Sequence, residues 1–153
     1  MTINRNYYQG RHFITINKLP TTQFFIQKIQ IPGITIGSAI QATRFGDQPL
    51  PGDKIAYNAL NLSIIVDEDL QVLKEIKSWI NENAPTDTGN YDYNMSDIVL
   101  NILNNNDKEN IQILFKNCFI EQMNDIQIDT TNQDPSNPYI LDCLIRYGTW
   151  DFI

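Results

Sequence analysis

Hydrophobic and polar residues alternate along most of this chain, which is the pattern of β-strands that bury one face. The alternation runs through residues 12–17 and 23–31 and returns at residues 60–66. Between the first two runs, residues 18–22 contain a proline and predict a hairpin connection. Further strands are predicted around Ile98, Leu100 and Ile102, around Ile111, Ile113 and Phe115, around Ile126 and Ile128, and over residues 139–147. The polar residues 104–108 are expected to join the first two of these strands as a hairpin.

The period of the pattern changes to that of a helix after the acidic residues Asp67, Glu68 and Asp69. Five apolar residues fall on one side of the predicted helix over 68–82, namely Leu70, Leu73, Ile76, Trp79 and Ile80. The polar segment 83–94 is expected to end this helix. No composition shift divides the chain, so residues 1–153 are expected to form a single domain. Its fold class is predicted to be mainly β, an antiparallel sandwich or barrel with one flanking amphipathic α-helix.

An arm is predicted at residues 34–53. The first part of this segment is extended in pattern but weakly amphipathic, and residues 46–53 are dense in turn formers. Such a segment has little reason to pack on the core, so it is expected to project from the domain. The candidate arm residues are Pro32, Gly33, Ile36, Ile40, Phe45, Pro51, Gly52 and Asp53.

Several predicted strands carry hydrophobic residues on both faces. The residues that lie opposite the expected core are Ile65, Val99, Leu103, Ile140 and Leu144. Burial of such a side chain is worth about 1.5–3 kcal/mol, so leaving several in water forgoes an amount comparable to a domain's whole stability. One helix covers only part of this area. The second face therefore predicts contacts between subunits, which also hide unpaired sheet edges.

Charge and composition exclude several classes of function. The chain has 11 basic and 18 acidic residues and a formal net charge of −7, which argues against a surface that neutralises nucleic-acid phosphates or anionic lipids. The chain begins without the apolar run of a secretory signal and has no apolar stretch of membrane-spanning length, so we expect a cytoplasmic protein without membrane contact. Cys118 and Cys143 are expected to be buried free thiols.

Catalysis finds little support in the sequence, and no enzyme, metal or cofactor is expected. His12 stands alone at the start of a strand, and no nucleophile or phosphate-binding motif is present. The carboxylates of Asp67, Glu68 and Asp69 could in principle bind Mg²⁺ or Ca²⁺ or act as acid and base. Their place where a strand becomes a helix favours capping of the helix instead, because free N–H groups and the positive end of the helix dipole lie there.

One stretch resembles a known family. The segment 51–70, PGDKIAYNALNLSIIVDEDL, is followed by an amphipathic helix containing Trp79. It is preceded by FITINKLPTTQFFIQKIQIPGI, which has the order of two strands and a Pro-marked crossing. This order resembles the tail tube proteins of contractile-tailed (T4-like) bacteriophages, a family that includes the tubes of related injection machines. The chain differs from the commonest pattern in its short start and in the polar segment 129–138.

The resemblance implies a virion structural protein that assembles in the host cytoplasm and resides in the tail. Its subunits would form stacked hexameric rings, with strands of all six joined into one barrel around a lumen for DNA, which passes without sequence recognition. Tail sheath, baseplate or neck proteins would be further partners. The arm would reach a neighbouring subunit or ring, and the helix would lie outside. Two alternatives remain open: a tube-initiating or hub-associated ring protein of the same fold, and a small monomeric module that binds a peptide or glycan.

Overall fold

The computed structural model describes residues 8–83, 94–131 and 138–153. These ranges contain eleven β-strands and one α-helix. Their bounds are β1 (His12–Ile16), β2 (Ile26–Gln30), β3 (Ile34–Thr35), β4 (Ser38–Thr43), β5 (Gly46–Pro51), β6 (Ala56–Tyr57), β7 (Leu60–Ile65), α1 (Gln71–Asn83), β8 (Ser96–Leu103), β9 (Glu109–Met123), β10 (Ile140–Arg146) and β11 (Thr149–Phe152). The predicted fold class, mainly antiparallel β with a flanking helix, is confirmed.

Seven of these strands form one antiparallel sheet in the order β1-β8-β9-β10-β7-β2, with β11 also paired to β9. Strand β9 has 15 residues and belongs to both halves of this sheet. Its first half pairs with β8 and β11, and its second half pairs with β10. We call β1, β8, β11 and the first half of β9 the first half-sheet, and the second half of β9 with β10, β7 and β2 the second half-sheet. The predicted β8–β9 hairpin is confirmed.

The core is a single hydrophobic cluster to which both half-sheets contribute alternate residues. In β7 the buried positions are Leu60, Leu62 and Ile64, and the residues between them point away from the core. In β10 the same alternation buries Leu141, Cys143 and Ile145. This period of two is what the sequence pattern predicted for these strands.

Helix α1 closes one part of the core with three buried residues, Val72, Ile76 and Trp79. The helix begins at Gln71, three residues later than predicted, because Leu70 has a left-handed backbone conformation with φ 55°. Leu70 precedes the helix and is 39% exposed, so its predicted place on the apolar side of the helix is wrong. Among the described residues, no helix is long and apolar enough to cross a membrane.

The predicted hairpin between the first two strands is wrong. β1 pairs with β8 and β2 pairs with β7, at opposite ends of the sheet order. The connection does not make a tight turn, because Leu19 is buried and a short 3-10 helix, Thr22–Phe25, follows before β2 begins. The chain therefore crosses from one half-sheet to the other instead of folding back on itself.

Three further expectations differ from the structure. No strand forms at residues 126–128, because β9 runs on to Met123 and the chain then leaves the sheet, with Ile128 75% exposed. Most of 46–53, expected as turn, is strand β5, and β11 was not anticipated. The expected loop at 83–94 falls largely on residues 84–93, and part of the polar segment 129–138 falls on 132–137; both lie outside the described residues.

Candidate assembly surfaces

The arm at residues 34–53 is a β-hairpin that stands away from the core. β4 and β5 pair from Ser38 opposite Pro51 to Thr43 opposite Gly46, and every residue of both strands is exposed. Two residues, Arg44 and Phe45, form the tip. The side chain of Phe45 is 96% exposed, which is unusual for an aromatic residue. A six-residue strand rises about 20 Å, so the hairpin presents this ring well away from its own base.

The base of the arm is fixed by the backbone. β3 pairs with β6, and the N–H of Gly52 donates to the carbonyl of Gly37 at 3.2 Å. Gly37 has φ +70°, and a Cβ on residue 52 would overlap the carbonyl oxygen of Ile36. The candidate arm residues fall into three groups. Four of them lie at this base: Pro32, which is buried, its neighbour Gly33, Gly52 and Asp53. Ile36 lies in the link to the hairpin, and Ile40, Phe45 and Pro51 lie on the hairpin itself.

Gly52→Ala should change the direction of the arm while leaving the domain folded. The added Cβ has to displace backbone of Ile36, and the arm contributes nothing to the core cluster. We expect the free energy of unfolding to change by less than about 1 kcal/mol and assembly to weaken by about tenfold. Melting curves and sedimentation measure the two effects. Gly148→Ala is the matched control, since a Cβ there meets its nearest atom, the Lys116 carbonyl oxygen, at an ordinary 3.5 Å. Equal assembly of both variants would contradict a role for the arm.

The five candidate subunit-facing residues lie on the outer faces of both half-sheets and do not form one patch. Val99 and Leu103 are on β8, where Val99 pairs with Thr15 on one side and Leu114 on the other. Ile65 on β7 is directly opposite Ile140 on β10. Leu144 on β10 lies between Asn61 and Gln122. Ile140 is 47% exposed and the other four are half-buried, so each retains surface that a neighbour can cover.

The acidic residues before α1 divide into one that caps and two that do not. The carboxylate of Asp67 accepts the N–H groups of Gln71 at 3.1 Å and Val72 at 3.2 Å, which confirms the predicted capping. Glu68 and Asp69 are exposed. Across residues 8–83, 94–131 and 138–153, no three His, Cys, Asp or Glu side chains come together in a way that could hold a metal ion.

Trp79 connects α1 to the start of the β8 segment. Its ring is buried, and its Nε1–H donates to the carbonyl of Asn94 at 2.8 Å. The N–H of Asn94 in turn donates to the Asn83 side chain at 2.7 Å. The helix end is thereby held on the sheet. Leu73, another residue predicted to pack from the helix, is half-buried and lines a groove at the start of α1.

Glu75 holds the crossing connection against α1. Its carboxylate accepts the N–H of Thr21 at 3.2 Å, the N–H of Thr22 at 3.0 Å and the Thr22 hydroxyl at 2.8 Å. Partial burial raises the pKa of Glu75, but the hydrogen bonds from Thr22 and Thr21 together outweigh it and hold the pKa below its ordinary value. This anchor was not predicted, because no periodic pattern joins residues 21–22 to residue 75.

Glu75→Gln should lower the free energy of unfolding by about 1–2 kcal/mol at pH 7, because an ionised acceptor of three donors is replaced by an amide. A lowered folded pKa contributes stability above the unfolded value near 4.5, and that contribution is lost as the pH falls through the folded pKa. The difference from wild type should therefore shrink below about pH 4.5. Urea unfolding at several pH values measures it. Glu121→Gln, which breaks an exposed pair with Arg146, should cost less than about 0.5 kcal/mol.

The two cysteine thiols are buried, and the histidine ring contacts the backbone. Cys118 and Cys143 are buried free thiols, as predicted, and burial raises the pKa of each to about 12. Nucleophilic thiolates are therefore not formed at neutral pH. The His12 ring hydrogen-bonds through Nδ1 to the Gly10 carbonyl at 3.0 Å.

A groove of about 570 Å³ opens between the start of α1 and residues 124–128. Its apolar walls are formed by Val66, Leu70, Leu73, Met123, Ile126 and Ile128. Three carboxylates, those of Asp67, Glu68 and Asp125, lie at the groove. The hydroxyl of Tyr139 accepts the N–H of Asp129 at 3.1 Å and donates to its carbonyl at 2.9 Å, which fixes the end of the segment that forms one wall. The sequence pattern did not predict this groove.

Comparison with solved structures relates this whole architecture to known assemblies. The chain is similar to a chain from the sheath/tube terminator of the PVC extracellular contractile injection system, with 13% identity, a TM-score of 0.71 and coverage of 99% of both chains. It is also similar to a chain from the tube-terminating cap of the anti-feeding prophage, with 15% identity, a TM-score of 0.70 and coverage of 100% and 94%. The chain has the tube-protein fold of contractile injection systems.

A more distant similarity extends to Hcp. A crystal structure of an Hcp protein has 7% identity to the chain and a TM-score of 0.54, and the match covers 93% of this chain and 98% of that one. No protein-family model and no curated protein sequence matches the chain. At these identities the similarity establishes the tube-protein fold alone.

Proposed function

We propose that this chain is a structural subunit of a contractile tail or injection tube, and that it assembles into stacked hexameric rings inside a sheath. The observation that carries the proposal is its similarity, over 99–100% of its length, to chains from tube terminator, sheath-tube and cap assemblies. The arm and the partly covered apolar residues of the outer faces support it, because each leaves surface for neighbours to bury.

Ring formation can use the two ends of the second half-sheet. Among the described strands, β2 pairs only with β7, and residues 119–123 of β9 pair only with β10. Joining β2 of one subunit to β9 of the next would continue the sheet around a ring and satisfy the backbone groups of both edges. Six copies would carry about 6 × −7 = −42 formal charges, which disfavours adhesion of DNA to the wall. Passage of a genome, and residence in a virion tail, are part of the proposal.

The place of the subunit along the tube has a second candidate. A baseplate-proximal initiator, a hub-associated ring or a terminal ring has the same fold, and the TM-scores of 0.71 and 0.70 for chains from the terminator and cap assemblies are close to the 0.69 for a chain from the sheath-tube complex. Sheath, baseplate or neck proteins would then be the partners. A monomeric module that binds a peptide or glycan through a Tyr and Trp surface is a further candidate; Tyr8 is 57% exposed, but Trp79 is buried and Trp150 half-buried, which disfavours it.

Electron microscopy of the purified protein over a concentration series tests these functions. Long tubes support a tube subunit, and isolated six-membered rings that do not stack support an initiator or terminator. A protein that stays monomeric at high concentration, measured by light scattering, would overturn both. Saturable binding of a peptide or glycan by that monomer would establish the binding module instead.

A further inference from the structure

We propose that the groove at the start of α1 receives the arm tip of a second copy of this chain, with Phe45 between the apolar walls and Arg44 against the carboxylates. This inference rests on the proposed function and deepens it, because it names a contact by which one subunit holds another. The tip takes no part in the core cluster of its own domain, and Leu70 and Ile128 of the groove also lie outside that cluster.

The groove has the shape and chemistry for an aromatic side chain with a cation beside it. Its six wall residues are apolar, and Ile128 on one wall is 75% exposed. Glu68 and Asp125 are exposed carboxylates, while the third, Asp67, already accepts two N–H groups of α1. Among the described residues Glu68 and Asp125 take part in no ion pair, so both carboxylates can pair with an incoming cation.

The arm tip has the complementary features. Phe45 is 96% exposed, and Arg44 beside it is exposed and takes part in none of the three ion pairs among the described residues. The two-residue tip places the ring and the guanidinium next to each other at the end of a paired hairpin. An aromatic ring buried in an apolar groove and an arginine facing carboxylates at its mouth are typical anchors of a protein interface.

The contact has a consequence for symmetry. The tip and the groove are different surfaces of the chain, so each copy can both give an arm and receive one. Exchange of arms between two copies would give a two-fold dimer, whereas an arm given to a third copy makes the contact heterologous and produces a closed ring or an open filament. This agrees with the assembly that the proposed function requires.

Disulfide trapping tests the pairing directly. Phe45→Cys and Ile128→Cys are prepared as separate proteins, mixed and oxidised, and the linked dimer is measured on a non-reducing gel. We expect the mixture to give at least about ten times the dimer of a control mixture of Phe24→Cys with Ile128→Cys, because Phe24 is 81% exposed but does not line the groove. The native thiols are buried and do not compete.

The concentration needed for assembly gives an independent readout. Phe45→Ala should raise the critical concentration for assembly about tenfold or more, since burial of an aromatic side chain is lost, while Phe24→Ala should leave it unchanged. Arg44→Glu should weaken assembly similarly, and the double change Glu68→Lys with Asp125→Lys should restore it. All these positions are exposed, so the monomer fold is expected to survive.

The outcomes separate this inference from the proposed function. Cross-linking equal to the Phe24 control, or normal assembly of Phe45→Ala, overturns the arm-to-groove contact even if tubes form and the proposed function stands. Specific cross-linking without tubes or rings supports the contact and counts against the proposed function. Failure of the lysine pair to restore assembly of Arg44→Glu overturns the ionic part of the contact.

Discussion

Val99→Asp should give a folded, soluble protein that no longer assembles. Val99 lies on the outer face of the first half-sheet beside Leu114, and Phe13 lies two residues along β1 from Thr15, the other partner of Val99. A carboxylate there is hydrated in the monomer but becomes a buried, unpaired charge when a neighbour covers the face. We expect the critical concentration for assembly to rise about 100-fold or more, with the melting temperature of the monomer changed by only a few degrees.

Leu144→Asp makes the same test on the second half-sheet. Its cross-strand neighbours are the polar residues Asn61 and Gln122, so we expect a smaller loss of assembly than for Val99→Asp. Ser78→Asp, on the exposed side of α1, is the control for added negative charge. Loss in one variant alone assigns the interface to that half-sheet, whereas normal assembly of both would contradict the proposal that the outer faces meet neighbours.

Trp79→Ala should lower the free energy of unfolding by about 3–5 kcal/mol, a loss in the range found for large buried aromatic residues. The ring is among the largest fully buried side chains, and its removal leaves a cavity between α1 and the sheet. For a domain of this size the expected fall in melting temperature is about 10 °C or more. Circular dichroism during heating measures it.

Trp79→Phe separates the hydrogen bond from the packing. It keeps an aromatic ring but removes the donor to the Asn94 carbonyl, and we expect a loss of about 1–3 kcal/mol. Trp150→Phe is the matched control, because the buried Nε1 of Trp150 has no hydrogen-bond partner in the described part of the chain. It should cost less than Trp79→Phe. A larger cost for Trp150→Phe would contradict the role given to the Asn94 contact.

The strands and the helix could be predicted from the local pattern of hydrophobic residues wherever one face of the element is buried. β7 and β10 bury every second residue, and the Asp67 carboxylate meets the free N–H groups that any helix start exposes. The pairing of the strands could not be predicted, because the alternation of residues shows which face of a strand is buried and not which strand lies beside it. β1 and β2 are neighbours in sequence but have β8 and β7 as partners.

The end of β9 shows a second limit. Alternation stops after Phe115 because Lys116 and Asn117 are polar, and Asn117 has φ 56°, so the strand continues with the opposite parity from Cys118 to Met123. A bulge of this kind shifts the pattern by one residue. Ile126 and Ile128 alternate without forming a strand and instead line the groove.

The candidate surfaces divide in the same way. The arm and the outer-face residues could be named from pattern, because they are apolar residues without a core position. The groove could not, since its walls depend on the left-handed backbone at Leu70 and on the contact of Tyr139 with Asp129. Neither of these two features produces a periodic pattern in the sequence.

The sheet order has a consequence for synthesis on the ribosome. β1 has to wait for β8, and β7 receives its second neighbour only when β10, the strand ending at Arg146, has been made. Such distant pairings slow folding and leave apolar strands open in the nascent chain. A prematurely terminated chain would lack β10 and leave β7 without one of its partners. Only chains that have been translated through Arg146 are therefore expected to complete the sheet and become available for assembly.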